Sequence, residues 1–136
     1  MNDFRIDFVK SVANKLGWDQ TSEDLDKGEI RYGENTVISF REKDYLNINI
    51  YWEIPHALSN VYKQICELAN SNATYVNFAM LENYMVAYGG ISNSIFFRDD
   101  VETELESFLS HIVQEANMSY HAMINAITKV LKNKLQ

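Results

Sequence analysis

Residues 45–54 constrain the fold more than any other stretch. Leu46, Ile48, Ile50, Trp52 and Ile54 alternate with Tyr45, Asn47, Asn49, Tyr51 and Glu53. A period of two sustained this long fits a strand with one apolar and one polar face, and fits no helix. Such a strand needs neighbours beside it and a layer over its apolar face, so the chain must build a sheet against helices.

The neighbours are legible on both sides. Glu29–Tyr32 and Thr36–Arg41 flank Gly33-Glu34-Asn35, a three-residue hairpin loop, and Glu42-Lys43-Asp44 leads into Tyr45–Ile54. Pairing Ile30 with Ile38, Ile38 with Ile48 and Phe40 with Leu46 gathers the large aliphatics on one face, which a slip by one residue would undo. Downstream, Thr74–Leu81 and Tyr84–Ile91 predict a second hairpin about Glu82-Asn83. Its register sets Leu81 opposite Tyr84, Ala79 opposite Val86 and Asn77 opposite Tyr88. Gly89-Gly90 reads as a bulge or a strand end. The sheet edges are expected at Glu29–Tyr32 and Tyr84–Ile91.

Helical periods fill the rest. Phe4, Phe8, Val12 and Leu16, with Val9 and Ala13 beside them, predict a helix over 3–16, capped by Asn2 or Asp3 and ended by Gly17. Residues 18–28 have no period and read as a surface loop. After Pro55, the spacing of Leu58, Val61, Tyr62, Ile65, Leu68 and Ala69 predicts a helix over 56–70, broken by Asn70-Ser71-Asn72. Asp99-x-x-Glu102 resembles a capping box before a long apolar period through Leu105, Leu109, Ile112, Met123 and Ile127. Six acids and no Lys or Arg fall between Asp99 and Thr128, with Lys129, Lys132 and Lys134 after them, which complements the helix dipole. About 35 residues at 1.5 Å each give roughly 52 Å, longer than a domain of this size is wide. The helix must bend, break near Asn117-Met118-Ser119, or project onto a partner. The expected fold is one α+β domain over residues 1–136, in the order α-β-β-β-α-β-β-α. It is a twisted antiparallel five-stranded sheet packed against helices, with a long C-terminal helix.

Chemistry is sparse. With 12 basic and 19 acidic residues the net charge is −7, which argues against nucleic acid as a partner. No apolar run approaches the roughly 20 residues that span a bilayer, and the start of the chain carries no signal-peptide pattern, so a cytoplasmic protein without a membrane partner is expected. The lone Cys66 lies beside a helical apolar stripe and reads as a small buried hydrophobe. His56, His111 and His121 form no metal-binding motif, and His111 with Glu115 reads as a solvated i, i+4 pair. Asp99, Asp100, Glu102, Glu104 and Glu106 read as capping and surface acids. No catalytic residue, metal or cofactor is expected.

The least ordinary feature is the second face of the sheet. The registers place Tyr45, Asn47, Asn49, Tyr51, Tyr75, Asn77, Leu81, Tyr84, Val86 and Tyr88 on it. Rigid Tyr rings with adaptable Asn amides suit protein recognition, and a contiguous uncovered patch marks either a partner surface or a dimer face. The other reading is an ordinary half-exposed face, or one covered by the long helix.

The element order, with Ile65-Cys66-Glu67-Leu68-Ala69-Asn70-Ser71-Asn72 followed by Tyr75–Leu81, Glu82-Asn83 and Tyr84–Gly90, resembles the type III secretion chaperone-like superfamily of secretion chaperones and YbjN-like proteins. Leu105 to Met123 looks like the closing helix of the YbjN-like proteins. The polar Asn70-Ser71-Asn72 departs from the Leu-rich link common in the chaperones, and the closing helix runs on past Ala126. The resemblance implies a non-enzymatic bacterial protein, often homodimeric, that binds another protein: a cargo or a regulated target. An acidic immunity protein that neutralises a basic toxin is the alternative.

Overall fold

The alternation at 45–53 builds the middle of the sheet, and everything else is arranged around it. A computed structural model describes residues 3–134. Helix α1 (Arg5–Lys15) leads into strands β1 (Gln20–Asp24), β2 (Glu29–Tyr32), β3 (Thr36–Ser39) and β4 (Tyr45–Glu53). A 3-10 turn (His56–Leu58) opens α2 (Ser59–Asn72). Strands β5 (Asn77–Leu81) and β6 (Tyr84–Ser92) follow, then a second 3-10 turn (Asn93–Phe97) and α3 (Val101–Lys134).

The sheet has six strands, in the order β1-β2-β3-β4-β6-β5, and every pairing is antiparallel. The sixth strand, β1, lies in the segment expected to be a loop. Every residue of it is exposed, so no apolar alternation could announce it. Its own pairing with β2 holds it, together with a Thr21 hydroxyl donating to the Gly33 carbonyl and a Lys10–Glu23 ion pair to α1. The expected edges are corrected accordingly. β2 and β6 are interior, and the edges are β1 and β5.

The expected registers hold for Ile30 with Ile38, Ile38 with Ile48, and all three pairs of the second hairpin. Phe40 lies beyond the end of β3 and is not part of the ladder. Gly89 and Gly90 form no bulge; both continue the pairing with β4. A Cβ on Gly89 would sit 2.6 Å from Ile112 Cδ1 and 2.9 Å from the Tyr75 carbonyl, and one on Gly90 would meet the Asn47 amide. These glycines let α3 and a neighbouring side chain lie directly on the strand. Gly89→Ala is expected to cost about 1–3 kcal/mol by overpacking, read as a lower midpoint in urea without a change of slope.

One face of the sheet carries the core. Leu46, Ile48 and Ile50 pack with Val9 of α1, Cys66 of α2 and Leu109 of α3 in a single buried cluster. The buried stripe of α1 is rotated from the expected one. Arg5, Val9, Val12 and Ala13 face inward, while Phe4 is half-exposed. Phe4, not Asn2 or Asp3, stands at the cap position of the helix and offers no side-chain acceptor; the Asp3 carboxylate one residue earlier accepts the Arg5 N–H, and Asn2 lies outside the described residues. Gly17 ends it at φ +78°. α2 continues through Asn72, and Asn70 is its anchor, not its break: the amide donates to the Phe78 carbonyl and accepts from the Phe78 N–H. The expected capping box does not form, because Arg98 holds the Asp100 carboxylate and α3 begins at Val101. α3 is unbroken over 34 residues.

Candidate functional site

Among the described residues all three helices pack on one face of the sheet, and the other stays bare. Successive residues of a strand point to opposite faces, so the pairings fix what that face carries. One row crosses the whole sheet as Asn77, Tyr88, Asn49, Val37, Arg31 and Ser22. A second sets Ala79, Val86 and Tyr51 side by side, and a third Leu81, Tyr84 and Glu53.

Tyr45, Leu81, Tyr84 and Tyr88 are exposed on this face, while Asn47, Asn49 and Tyr51 are half-buried. Two expected members are corrected. Val86 is only 3% exposed; it lies low among longer neighbours, as does Val37. Tyr75 precedes β5 and leaves the sheet face altogether. Its ring stacks on His111 of α3 at a centroid distance of 5.0 Å. Glu115 causes this, since its carboxylate accepts the N–H groups of Thr74, Tyr75 and Val76 at 2.8–3.1 Å and straps the segment to α3. His111 is exposed, as its spacing leads one to expect, and carries the Tyr75 ring, whereas Glu115 is half-buried and is an anchor for the backbone. Trp52, on the helix side, stacks on Tyr120 of α3 at 4.5 Å.

At one end of the bare face the sheet opens into a cleft of about 790 Å³ between Arg31, Asn35, Tyr51, Glu53 and Tyr84. Cation, carboxylate, amide and phenol all reach it. A concave mixed surface of this kind can take up a side chain from a protein partner through both stacking and hydrogen bonds.

The remaining reactive groups are built against ionisation. Burial pushes the Cys66 thiol up, and burial, with the Glu23 carboxylate adding to it, pushes the Tyr32 hydroxyl up to about 12. Both are protonated at neutral pH, so neither supplies an activated nucleophile. Among the described residues no group of three or more His, Cys, Asp and Glu side chains converges as metal ligands would, and no helix is long and apolar enough to cross a membrane.

Sequence reasoning missed one residue that positions the site. Arg5 is 3% exposed, and its guanidinium donates to the Asp3 carboxylate and to the carbonyls of Phe40, Glu42 and Tyr45 at 2.5–3.1 Å. It also reaches the Asn93 side-chain oxygen at 3.0 Å. It pins the β3–β4 turn, and with it the start of the strand carrying Tyr45, Asn47 and Asn49. The only signal was its place at helical spacing from Val9 and Val12.

No protein-family model matches the chain, and no curated protein matches it in sequence. Among solved structures it is similar to YbjN of E. coli, a candidate transcription regulator, at 12% identity with a TM-score of 0.53, over 83% of this chain and 91% of that one. It is similar at 15% identity and the same TM-score, over 82% of this chain and 96% of that one, to SycH, a type III secretion chaperone of Yersinia pestis in complex with a stable fragment of YscM2. The chain has the secretion chaperone/YbjN-like fold. At these identities the likeness concerns the fold alone. Within that fold the six-stranded sheet lies bare on one side and is sealed by helices on the other.

Proposed function

We propose that the chain is a non-enzymatic protein-binding module of the cytoplasm, a secretion-type chaperone or YbjN-like regulator, that takes its partner on the bare face of the sheet. The observation that carries this reading is the face itself. Four tyrosines, Tyr45, Tyr51, Tyr84 and Tyr88, stand on β4 and β6, Tyr51 and Tyr84 of them lining the cleft, and among the described residues no helix lies over them. Rigid rings offer large contact area at low entropic cost, and Tyr is enriched among residues that dominate binding energy. That one protein of the same fold was solved with a protein fragment supports the kind of partner. A homodimer belongs to the same reading. The free edges are poor alternatives. β1 is polar, acidic and irregular between Gln20 and Ser22, and on β5 the Asn70 amide already occupies both main-chain groups of Phe78.

Tyrosine iodination tests the reading on a complex co-purified from the native host. Tyr45, Tyr84 and Tyr88 should be protected relative to the free chain, and Tyr75, on the helix side, should react equally in both. Protection of Tyr75 with the other three fully reactive would sink the proposal.

A further inference from the structure

The cleft at the end of the bare face is uneven in charge. Two carboxylates, Glu34 and Glu53, line it against a single guanidinium, Arg31. All three are exposed, and among the described residues none of them takes part in an ion pair. Arg31 is badly placed to neutralise Glu53. It stands in the row of Val37 and Asn49, whereas Glu53 stands two rows further along the sheet and two strands away. The net charge of −7 on the whole chain adds to a negative potential there.

Glu53 is also flanked by rings. Tyr84 pairs with it across the β4–β6 ladder, and Tyr51 stands two residues back on the same face of β4. Side chains directly opposite lie about 4.5–5.5 Å apart at Cβ, and diagonal ones stay within reach of an aromatic ring. Among the described residues no aromatic ring and no cation of the chain is stacked on Tyr51 or Tyr84. The backbone adds an acceptor. The Tyr51 N–H donates to the Asn35 carbonyl, and β3 begins at Thr36 opposite Ile50, so β4 outruns β3. Main-chain groups two residues apart in a strand point to the same edge, which leaves the Glu53 carbonyl on that side with no strand beside it. A carboxylate and a carbonyl beside two rings suit a planar cation with several N–H donors. A guanidinium can fork onto the carboxylate and lie on a ring at once, whereas an ammonium is a point charge that cannot do both. We propose that the cleft seats an arginine side chain of the protein partner, its guanidinium against Tyr51 and Tyr84 and donating to Glu53. The inference rests on the reading above that a protein binds this face, and it names the chemistry that the partner brings to it.

Titration of the full chain with N-acetyl-arginine amide, followed through its backbone amide NMR signals, tests the seat. N-acetyl-lysine amide and N-acetyl-citrulline amide are the controls, since citrulline keeps the planar shape and lacks the charge. The arginine probe should shift Tyr51, Trp52, Glu53 and Tyr84 and saturate at about millimolar concentration. The lysine probe should bind at least about threefold more weakly and the citrulline probe at least about tenfold. Glu53→Gln should weaken the arginine probe by about tenfold, and Arg31→Gln should bind it as well as the parent or better. Four results overturn the proposal: no saturation by the arginine probe, shifts centred away from the cleft, either control binding as tightly, or Glu53→Gln binding as the parent does. The comparison of the three probes on the parent is decisive by itself if Glu53→Gln alters the fold by circular dichroism. Failure here leaves the protein-binding face standing, because iodination of the complex tests that face without reference to arginine.

Discussion

Replacing Arg5 with alanine should cost about 3–5 kcal/mol of folding stability, because the change strips the partners from one carboxylate and several carbonyls at once. The guanidinium is held among Asp3, the β3–β4 turn and Asn93, and stacks over the Phe40 ring at 5.5 Å. Asn93 in turn donates to the Lys43 carbonyl and, through its backbone N–H, to that of Asp44. Removing Arg5 therefore loosens α1, the 40–45 turn and the approach to α3 together. Arg5→Lys should recover only part of the loss, since one ammonium cannot reproduce the planar fork. Chemical denaturation measures both. The pH dependence has a definite sign. Hydrogen bonding from Arg5 holds the Asp3 carboxyl below its ordinary value. The stability this contributes is complete above that ordinary value and is lost as the pH falls through the lower, folded one. The gap between parent and Arg5→Ala should therefore be constant near neutrality and narrow only in acid. A constant gap down to the acid transition would contradict the assigned pairing.

Asn70→Ala should cost about 2–4 kcal/mol, as it leaves both the N–H and the carbonyl of Phe78 without partners beside a fully packed ring. The amide meets these groups at 2.5 and 2.9 Å, and Phe78 is 2% exposed. Asn70→Asp should fall between parent and alanine: a carboxylate still accepts from the N–H but cannot donate to the carbonyl. A second consequence follows from where β5 lies. Freed main-chain groups on an edge strand are a template for pairing with other chains. Asn70→Ala should therefore also aggregate faster than its lost stability alone explains, when compared by light scattering with Gly89→Ala at equal distance below the midpoint. Unchanged stability in Asn70→Ala would show that the amide does not hold the strand.

What could be read from the sequence was whatever burial writes into a local period. β4 announced itself through Leu46, Ile48 and Ile50, and the second hairpin through its two-residue turn, so the tyrosine face followed from parity alone. β1 was invisible because both its faces are exposed and only main-chain pairing makes it a strand. Missing it also misplaced one edge of the sheet. The other edge was misplaced because hairpin order says nothing about which strand docks on β4; β6 does, leaving β5 outside. Tyr75 kept the parity of the face but not its place, since Glu115, forty residues on, collects the backbone before β5 begins. Arg5 stood in the buried stripe of α1 as a charge among apolar residues, but apart from Asp3 its partners lie 35 to 88 residues away, beyond any local pattern.

The helices seal one face of the sheet, and the proposed binding is on the other. The most direct measurement is a calorimetric titration of the partner co-purified from the native host. The parent chain is compared with Tyr45→Ala, Tyr51→Ala, Tyr84→Ala and Tyr88→Ala, each first shown to be folded by circular dichroism, and with Leu68→Ala and Met118→Ala on the helix side. The strongest of the tyrosine variants should lose about 2 kcal/mol or more of binding free energy, roughly thirtyfold in Kd, while both helix-side variants should bind as the parent does. All four tyrosine variants binding within about twofold of the parent, with Leu68→Ala or Met118→Ala weakened instead, would contradict it.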